Sequence, residues 1–157
     1  YRSSIESLGR RCVNGKGVPS ISTLVDIYNT ISLTYFLTAG GEDLDHIEGD
    51  IELAVAGTDE PTTKLLGDAE AQSPFPGEVI YRDAVGAICR CWNWREADRT
   101  KLTNETKNCV LVLEDINTDT TALATALEEL EARILATCGG TSARFLLDKD
   151  HLACELL

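Results

Sequence analysis

The chain has 157 residues, of which 43% are hydrophobic and 25% charged, a composition that fits one globular domain with a real core. No run approaches the roughly 18 apolar residues that a membrane-spanning helix needs, so we expect no membrane association. The net charge of −12 argues against a protein that coats nucleic acid by bulk attraction, and we expect no DNA partner. The sequence begins at Tyr1 and contains no methionine, so we expect the natural chain to have further residues before it.

The first elements along the chain are two predicted helices. Apolar residues at helical spacing predict them over residues 2–13 and 22–36. The dipeptide Gly40-Gly41 then interrupts the pattern, and it is followed by acidic residues. These features predict a tight acidic loop over residues 40–45.

The middle and the end of the chain are predicted to be mainly strands. Alternating or unbroken apolar runs place them near residues 50–56, 78–82, 87–94, 109–114 and 143–147. A third helix is predicted over residues 120–137, before the pair Gly139-Gly140. The sum is an α+β fold in which residues 1–157 form a single domain, with helices flanking a mostly antiparallel, barrel-like β core.

The six cysteines do not predict a metal site or a disulfide. They form no C-x-x-C pair, and neither His46 nor His151 stands at zinc-site spacing from a cysteine pair. Cysteines scattered through apolar segments are more often small core residues. We therefore expect no metal, no cofactor and a reducing, cytoplasmic location.

Two segments concentrate polar residues in a way that packing alone does not explain. Residues 40–45 present three carboxylates on a kinked backbone, although a solvated turn is the simpler interpretation. Residues 92–100 gather two tryptophans, an amide, two arginines and two acids at the end of a predicted strand. A buried aromatic pair accounts for part of this cluster. The polar remainder is typical of a site that holds an amino acid or a nucleotide by planar hydrogen bonds.

Residues 1–17 and 82–107 are less acidic than the rest of the chain, with net charges of +3 and +2. A solvated surface and a contact with a phosphate backbone are both compatible with them. The chain has no P-loop, no G-x-G-x-x-G and no G-x-S-x-G motif. Nucleotide binding through those loops and serine-hydrolase chemistry are therefore not predicted.

Four blocks of sequence carry a family resemblance. They read L-V-D-I-Y-N-T-I-S at 24–32, D-L-D-H-I at 43–47, G-E-V-I-Y-R-D with a later glycine at 77–86, and N-E-T-K-N with a later L-E at 104–114. In order and rough spacing they resemble the B3/B4 domain of the bacterial phenylalanyl-tRNA synthetase beta subunit, which edits mischarged tRNA. The motif Trp92-Asn93-Trp94-Arg95 and a helix like residues 1–6 are similar to the free-standing members of this group.

The resemblance implies a barrel-like β core flanked by helices and a substrate that is aminoacyl-tRNA bearing the wrong amino acid, hydrolysed at its 3′ ester. The implied function is a trans-editing hydrolase that binds the aminoacylated 3′ end of a tRNA. The alternative is a non-catalytic module, for tRNA, a free amino acid or a protein, that kept the fold and lost the chemistry.

The site residues follow from the alignment with the family and from its departures. The family's pocket histidine falls at Gly40, so that the tyrosine-editing pocket is not copied, and ungapped counting places the pocket's glutamate at Asp98. A positioned water and dipoles for the oxyanion can hydrolyse an ester without a nucleophilic side chain, so Asp98 and Glu42 are the predicted catalytic residues. The predicted substrate-binding residues are Asn93, Trp92, Trp94, Arg95, Gly40, Gly41, Asp43, Asn29 and Thr100. The predicted tRNA-binding residues are Arg99, Lys101, Arg10 and Arg11. We also expect residues 40–45 and 92–100 to meet at one cleft.

Overall fold

The computed structural model describes residues 1–117 and 119–156, which contain three helices and six strands. The helices are α1 (Ser4–Val13), α2 (Thr23–Tyr35) and α3 (Thr121–Cys138). The strands are β1 (Thr38–Asp43), β2 (Glu52–Val55), β3 (Val79–Arg82), β4 (Ala87–Arg90), β5 (Arg95–Glu96) and β6 (Cys109–Glu114), and a short 3₁₀ helix spans Leu44–His46. The three predicted helices are therefore confirmed to within a few residues at each end.

The strands form two antiparallel sheets. β1 pairs with β6, and the second sheet has the order β2-β3-β4-β5. The segment after β5 connects the two sheets. Its residue Lys101 forms an isolated antiparallel β-bridge with Glu42 of β1, and its Ala97 N–H donates to the Ile88 carbonyl of β4 over 2.6 Å. The α+β, mostly antiparallel prediction is confirmed, but the β core is two separate sheets and not a closed barrel.

The main core lies between α2, α3 and the β1–β6 sheet. Its buried members include Tyr28 and Ile31 of α2 and Ala126 and Leu130 of α3. α2 begins where the Ser22 hydroxyl accepts a hydrogen bond from the Val25 N–H over 3.3 Å, as a helix-capping serine does. This packing holds β1 in place and thereby fixes one wall of the candidate site.

Two predicted elements are wrong. Residues 143–147 form no strand; Phe145 is exposed, and Arg144 instead pairs with Glu131 on α3 over 3.0 Å. The segment has apolar alternation, but it has no strand to pair with among the described residues. Residues 40–43 are not a loop, because they continue β1 in register with β6.

Gly41 explains why a glycine pair lies inside a strand. A Cβ added at Gly41 would collide with the Leu111 side chain and lie 3.1 Å from the Val110 carbonyl oxygen. Glycine in a strand often marks such a close approach. Pairing with β6 therefore outweighs the low strand propensity of Gly40-Gly41.

The predicted strand over 87–94 ends early, at Arg90. Cys91 and Trp92 then adopt left-handed backbone conformations with φ of 49° and 63°, and the two-residue strand β5 follows. Non-glycine residues rarely adopt positive φ, so the chain is constrained at this turn. No helix of the described residues is long and apolar enough to cross a membrane.

Candidate functional site: an acidic cavity between the two sheets

A cavity of about 240 Å³ lies between the two sheets. β1 contributes residues 39–42 to its wall, and the turn with β5 contributes residues 92–96. The two segments that the sequence analysis singled out therefore meet at one cleft, as expected. Ser4, at the start of α1, also lines the cavity, and its N–H donates to the Asn93 carbonyl over 3.0 Å.

A buried ion pair holds the left-handed turn of the cavity wall. Arg90 donates to Glu78 from Nε over 2.9 Å and from Nη2 over 2.6 Å, and the side chains are only 3% and 6% exposed. The same carboxylate accepts from the Cys91 N–H over 2.8 Å. Burial opposes ionisation of Glu78, but these hydrogen bonds outweigh it and lower its pKa to about 2. Glu78 and Arg90 thus fix the backbone that presents Trp92 and Asn93.

Glu114, at the end of β6, orients three side chains of the cavity wall. Its carboxylate accepts from the Tyr81 hydroxyl over 2.6 Å, from the Trp92 indole N–H and from the Asn93 amide over 3.2 Å. Burial and this hydrogen bond raise the pKa of Tyr81. The acceptor capacity of Glu114 is therefore used within the protein.

Trp94 and Arg95 form the outer part of the wall. The Tyr1 and Trp94 rings meet edge to face with centroids 4.6 Å apart, and the Arg95 guanidinium lies 5.3 Å from the Trp94 ring centroid. Arg95 also donates to the Leu66 carbonyl and to Asp68, the latter over 2.8 Å. The Arg95 guanidinium is therefore already paired with Asp68, which offsets its positive charge.

Two further carboxyls, those of Glu42 and Glu96, line the cavity. Glu42 is 6% exposed, and its Oε2 has no hydrogen-bond partner among the described residues. Glu96 Oε1 accepts from the Gly41 N–H over 3.3 Å. A Cβ on Gly40 would lie 3.1 Å from that oxygen, so the glycine leaves room for the carboxylate.

The two carboxyls have separated pKa values. Burial and then the negative charge of Glu96 raise the pKa of Glu42 to about 9, and burial raises the pKa of Glu96 to about 6. The buried Thr100 hydroxyl lies near the Glu42 carboxyl and lowers its pKa, which partly offsets the effect of burial. The contact between the two groups does not have the geometry of an ordinary hydrogen bond. Burial and the repulsion between the two carboxylates therefore favour keeping a proton on this pair near pH 7.

This assignment predicts a pH-dependent stability. The folded chain keeps a proton on the Glu42–Glu96 pair that the unfolded chain releases near pH 4.5, so the free energy of unfolding decreases as pH rises above about 4.5. We expect Glu42→Gln to flatten this decrease by at least about 2 kcal/mol, since one pKa unit corresponds to about 1.4 kcal/mol. Urea titrations across this pH range measure it, with the exposed Glu70→Gln as the control. Equal slopes for wild type and Glu42→Gln would show that Glu42 titrates normally.

Asp98, the predicted catalytic residue, does not line the cavity. Its carboxylate accepts from the Lys101 ammonium over 2.7 Å, and both side chains are about two-fifths exposed. Glu96, two residues earlier, is the acid of this segment that faces the cavity. Glu96 lies inside the segment 92–100, but ungapped counting along the family's motif selected Asp98, two residues further on. Glu114 ends the block at 104–114 that resembles the family, but the sequence analysis predicted no function for this residue.

Three of the predicted substrate-binding residues lie outside the cavity lining. Asp43 is buried and caps the 3₁₀ helix, accepting from the Asp45 N–H over 3.1 Å and from the Thr106 hydroxyl over 2.6 Å. Asn29 is buried on α2, and Thr100 is buried beside β1. Their positions give them a part in the scaffold behind the cavity.

The four predicted tRNA-binding residues differ in their surroundings. Arg99 donates to both oxygens of the buried Asp83, over 2.9 Å to one of them, which places Arg99 in the scaffold. Lys101 pairs with Asp98, as described above. Arg10 and Arg11 lie on α1, where Arg10 pairs with Glu6 over 2.8 Å at the surface. Exposed pairs of this kind contribute only about 0.3–0.5 kcal/mol, so Arg10 can exchange its partner.

The cavity offers no thiolate nucleophile. Cys89 lines it, but burial and the charges of Glu96 and Glu42 raise the pKa of the thiol, which keeps it protonated. All six cysteines are free. No group of three or more His, Cys, Asp or Glu residues within residues 1–117 and 119–156 could hold a metal ion.

Comparison with known proteins gives one family match. The family model described as "B3/4 domain" matches residues 1–135, from before α1 into α3. The match spans every residue that lines the cavity. No curated protein matches the chain.

Proposed function

The chain belongs to the B3/4 domain family, and on this basis we propose that it hydrolyses the 3′ ester of mischarged aminoacyl-tRNA in trans. One observation carries the proposal: two neighbouring buried carboxyls, those of Glu42 and Glu96, line one small cavity, and burial raises the pKa of both. Pairs of carboxyls whose pKa values are pushed apart are typical of acid–base sites.

The size of the cavity suits an aminoacyl group. Pockets for drug-sized ligands have volumes of about 300–1,000 Å³. The 240 Å³ found here is smaller, and its wall includes the apolar side chains of Ile88, Val110 and Val112. An amino acid ester is a ligand of the corresponding size, and the rest of the tRNA would stay outside.

Glu96 is the proposed general base. Its carboxylate takes a proton from a water molecule as the water oxygen bonds to the ester carbonyl carbon. When the bond between that carbon and the 3′ oxygen breaks, Glu96 returns the proton to the 3′ oxygen. The products are a free amino acid and a tRNA with a 3′ hydroxyl, and Glu96 is again a carboxylate.

Asn93 is the proposed partner of the developing oxyanion. One N–H of its amide is held by Glu114, which orients the group, and the second is available to the substrate. Asp98, the base expected from the sequence, is the alternative to Glu96 and would act through a water at the rim.

The tRNA is proposed to approach along α1. This helix begins at the cavity wall with Ser4 and carries the exposed Arg10 and Arg11. Phosphate contacts from arginine position a nucleic acid without reading its sequence. Lys101 and Arg99 are the further predicted contacts, with Arg99 limited by its pairing to Asp83.

A second function is favoured by one departure from the family. Because Gly40 stands where the family's pocket histidine does, the cavity could bind an aminoacyl group without hydrolysing it. The experiment is a deacylation screen against a panel of mischarged tRNAs. We expect at least one of them to lose its amino acid about tenfold faster than without protein, while the correctly charged form of the same tRNA persists. Binding of mischarged tRNA without acceleration would favour the non-catalytic module.

A further inference from the structure

We propose that Trp92 is the stacking platform for the adenine base of the tRNA 3′-terminal nucleotide, the nucleotide whose ribose carries the aminoacyl ester. This inference rests on the proposed function and names the part of the substrate that the mouth of the cavity holds. It concerns binding and not the chemical step, so it can be tested separately from hydrolysis.

The backbone at Trp92 has a conformation that a bulky residue rarely adopts. Its φ is 63°, in the left-handed region, and the preceding Cys91 has a φ of 49°. Such conformations are unfavourable for residues other than glycine, and they cluster at sites where the surrounding structure enforces them for function. Here the Glu78 carboxylate accepts from the Cys91 N–H over 2.8 Å, and the Trp92 N–H donates to the Val79 carbonyl over 2.6 Å. The fold therefore holds Trp92 in a defined position.

The Trp92 side chain is oriented but not buried. Its indole N–H donates to the Glu114 carboxylate, which anchors one edge of the ring. The residue is nevertheless 36% exposed, and it lines the cavity. Within residues 1–117 and 119–156, no aromatic ring pairs with the Trp92 ring and no cation lies over it. A tryptophan held at its polar edge, with ring surface left open, is suited to stack on a planar group of a ligand.

Trp94, the other tryptophan of the lining, is engaged within the protein. Tyr1 meets its ring edge to face, and the Arg95 guanidinium lies over it. Trp92 is therefore the tryptophan of the cavity wall whose ring has no such partner among the described residues.

The position of Trp92 relative to the proposed ester site identifies the planar group. Trp92 is adjacent to Asn93, the proposed partner of the oxyanion, and Glu114 holds both side chains. In aminoacyl-tRNA the ester and the adenine are attached to the same ribose, so the base lies close to the ester. The aminoacyl group enters toward Glu96 and the buried Ile88. The base then stays on the open side of the cavity, where Trp92 is exposed.

The charge of the wall favours a contact with the base over a contact with the phosphate. Three glutamates line the cavity, and the one arginine of its lining, Arg95, is paired with Asp68. Such a wall disfavours a phosphate group but not a neutral base. Stacking on an aromatic ring is the interaction that a neutral base makes whatever its hydrogen-bonding pattern.

The test is calorimetric titration with two probes that cannot be deacylated in the same way, because an amide replaces the ester. One probe is 3′-amino-3′-deoxyadenosine acylated with alanine, and the other is the same alanyl amide on a ribose that lacks the base. Alanine is used because its small side chain places little steric demand on the cavity. Stacking of one base on an aromatic residue typically changes affinity by about 5–150-fold. The adenosine probe should therefore bind wild type at least about fivefold more tightly than the probe without base.

Three variants assign this preference to the ring. Trp92→Leu removes the aromatic face, so the two probes should bind it with affinities within about twofold of each other. Trp92→Phe keeps a ring but loses the N–H to Glu114, and it should retain part of the preference. Phe145→Leu is the matched control, because it removes an exposed aromatic ring outside the cavity lining, and it should keep the wild-type ratio.

Tryptophan fluorescence provides a direct signature of stacking. The chain has two tryptophans, so in Trp94→Phe all indole emission comes from Trp92. The adenosine probe should quench this emission, and the probe without base should leave it nearly unchanged. Equal emission with the two probes at saturation would overturn the proposal.

The outcomes separate this inference from the proposed function. Equal affinities of wild type for the two probes, binding of neither, or a preference that persists in Trp92→Leu would each overturn the role of Trp92, even in an active deacylase. A preference that Trp92→Leu abolishes, in a protein that deacylates no tRNA, would support the role of Trp92 and contradict the hydrolase. If Trp92→Leu does not fold in thermal melts, the wild-type ratio and the quenching in Trp94→Phe decide.

Discussion

Glu96→Gln is expected to lose at least about 100-fold in the single-turnover rate of deacylation, because a positioned general base typically contributes about 10²–10⁴-fold. The substitution keeps the volume and leaves an oxygen to accept from the Gly41 N–H, so the fold should be retained. In wild type the rate should rise with pH through about 6, where Glu96 becomes ionised. This rise should be absent from the residual activity of the variant.

Asp98→Asn is the matched comparison, since it removes a neighbouring carboxylate that pairs with Lys101 outside the cavity. We expect it to change the rate much less than Glu96→Gln does. If Asp98→Asn removes the activity and Glu96→Gln leaves it intact, the alignment-based assignment is right and the assignment from the cavity is wrong.

Arg90→Met is expected to lower the free energy of unfolding by about 3–5 kcal/mol, the usual effect of removing one partner of a buried ion pair. Glu78 would keep the Phe75 and Cys91 N–H groups as donors but would lose both hydrogen bonds to Arg90. The left-handed turn at Cys91 and Trp92 would lose part of its support as well. Urea unfolding at neutral pH measures the loss.

Arg133→Met on α3 is the control for that measurement. Arg133 also pairs with a glutamate, Glu129, but at the exposed surface and four residues apart on one helix. Such pairs contribute about 0.3–0.5 kcal/mol, so the control should be near wild type. Equal effects of the two substitutions would contradict the view that the Arg90–Glu78 pair supports the turn.

The helices could be predicted because their signals are local. Apolar spacing and the capping Ser22 define α2 whatever the rest of the chain does, and α3 has an equally regular pattern. The strand β1 could not be predicted, because Gly40-Gly41 has poor strand propensity. Its strand conformation comes from pairing with β6, which lies about seventy residues further along the chain.

The cleft and much of its lining were predicted, but Glu96 was not. The sequence identified the segments 40–45 and 92–100, because unusual polar clusters are visible without any knowledge of the fold. Which acid of the second segment faces the cavity depends on the turn at Cys91 and Trp92. No glycine marks that turn. Its conformation depends on Glu78, which directly precedes β3, the strand that pairs with β4.

The apolar segment 143–147 was predicted to be a strand and is not one, whereas β1 is a strand that was not predicted. Its alternation is local and strand-like, but strands need partners, and the described residues provide none for it. The pairing of Arg144 with Glu128 and Glu131 keeps the segment beside α3 instead.

The deacylation screen, with wild type and Glu96→Gln assayed side by side on each mischarged tRNA, decides whether this protein is an editing hydrolase. We expect wild type to accelerate hydrolysis of at least one mischarged tRNA of the panel. Glu96→Gln should bind the same tRNA but hydrolyse it at least about 100-fold more slowly. Equal rates for the two proteins, or no acceleration by wild type on any tRNA of the panel, would contradict the proposed function.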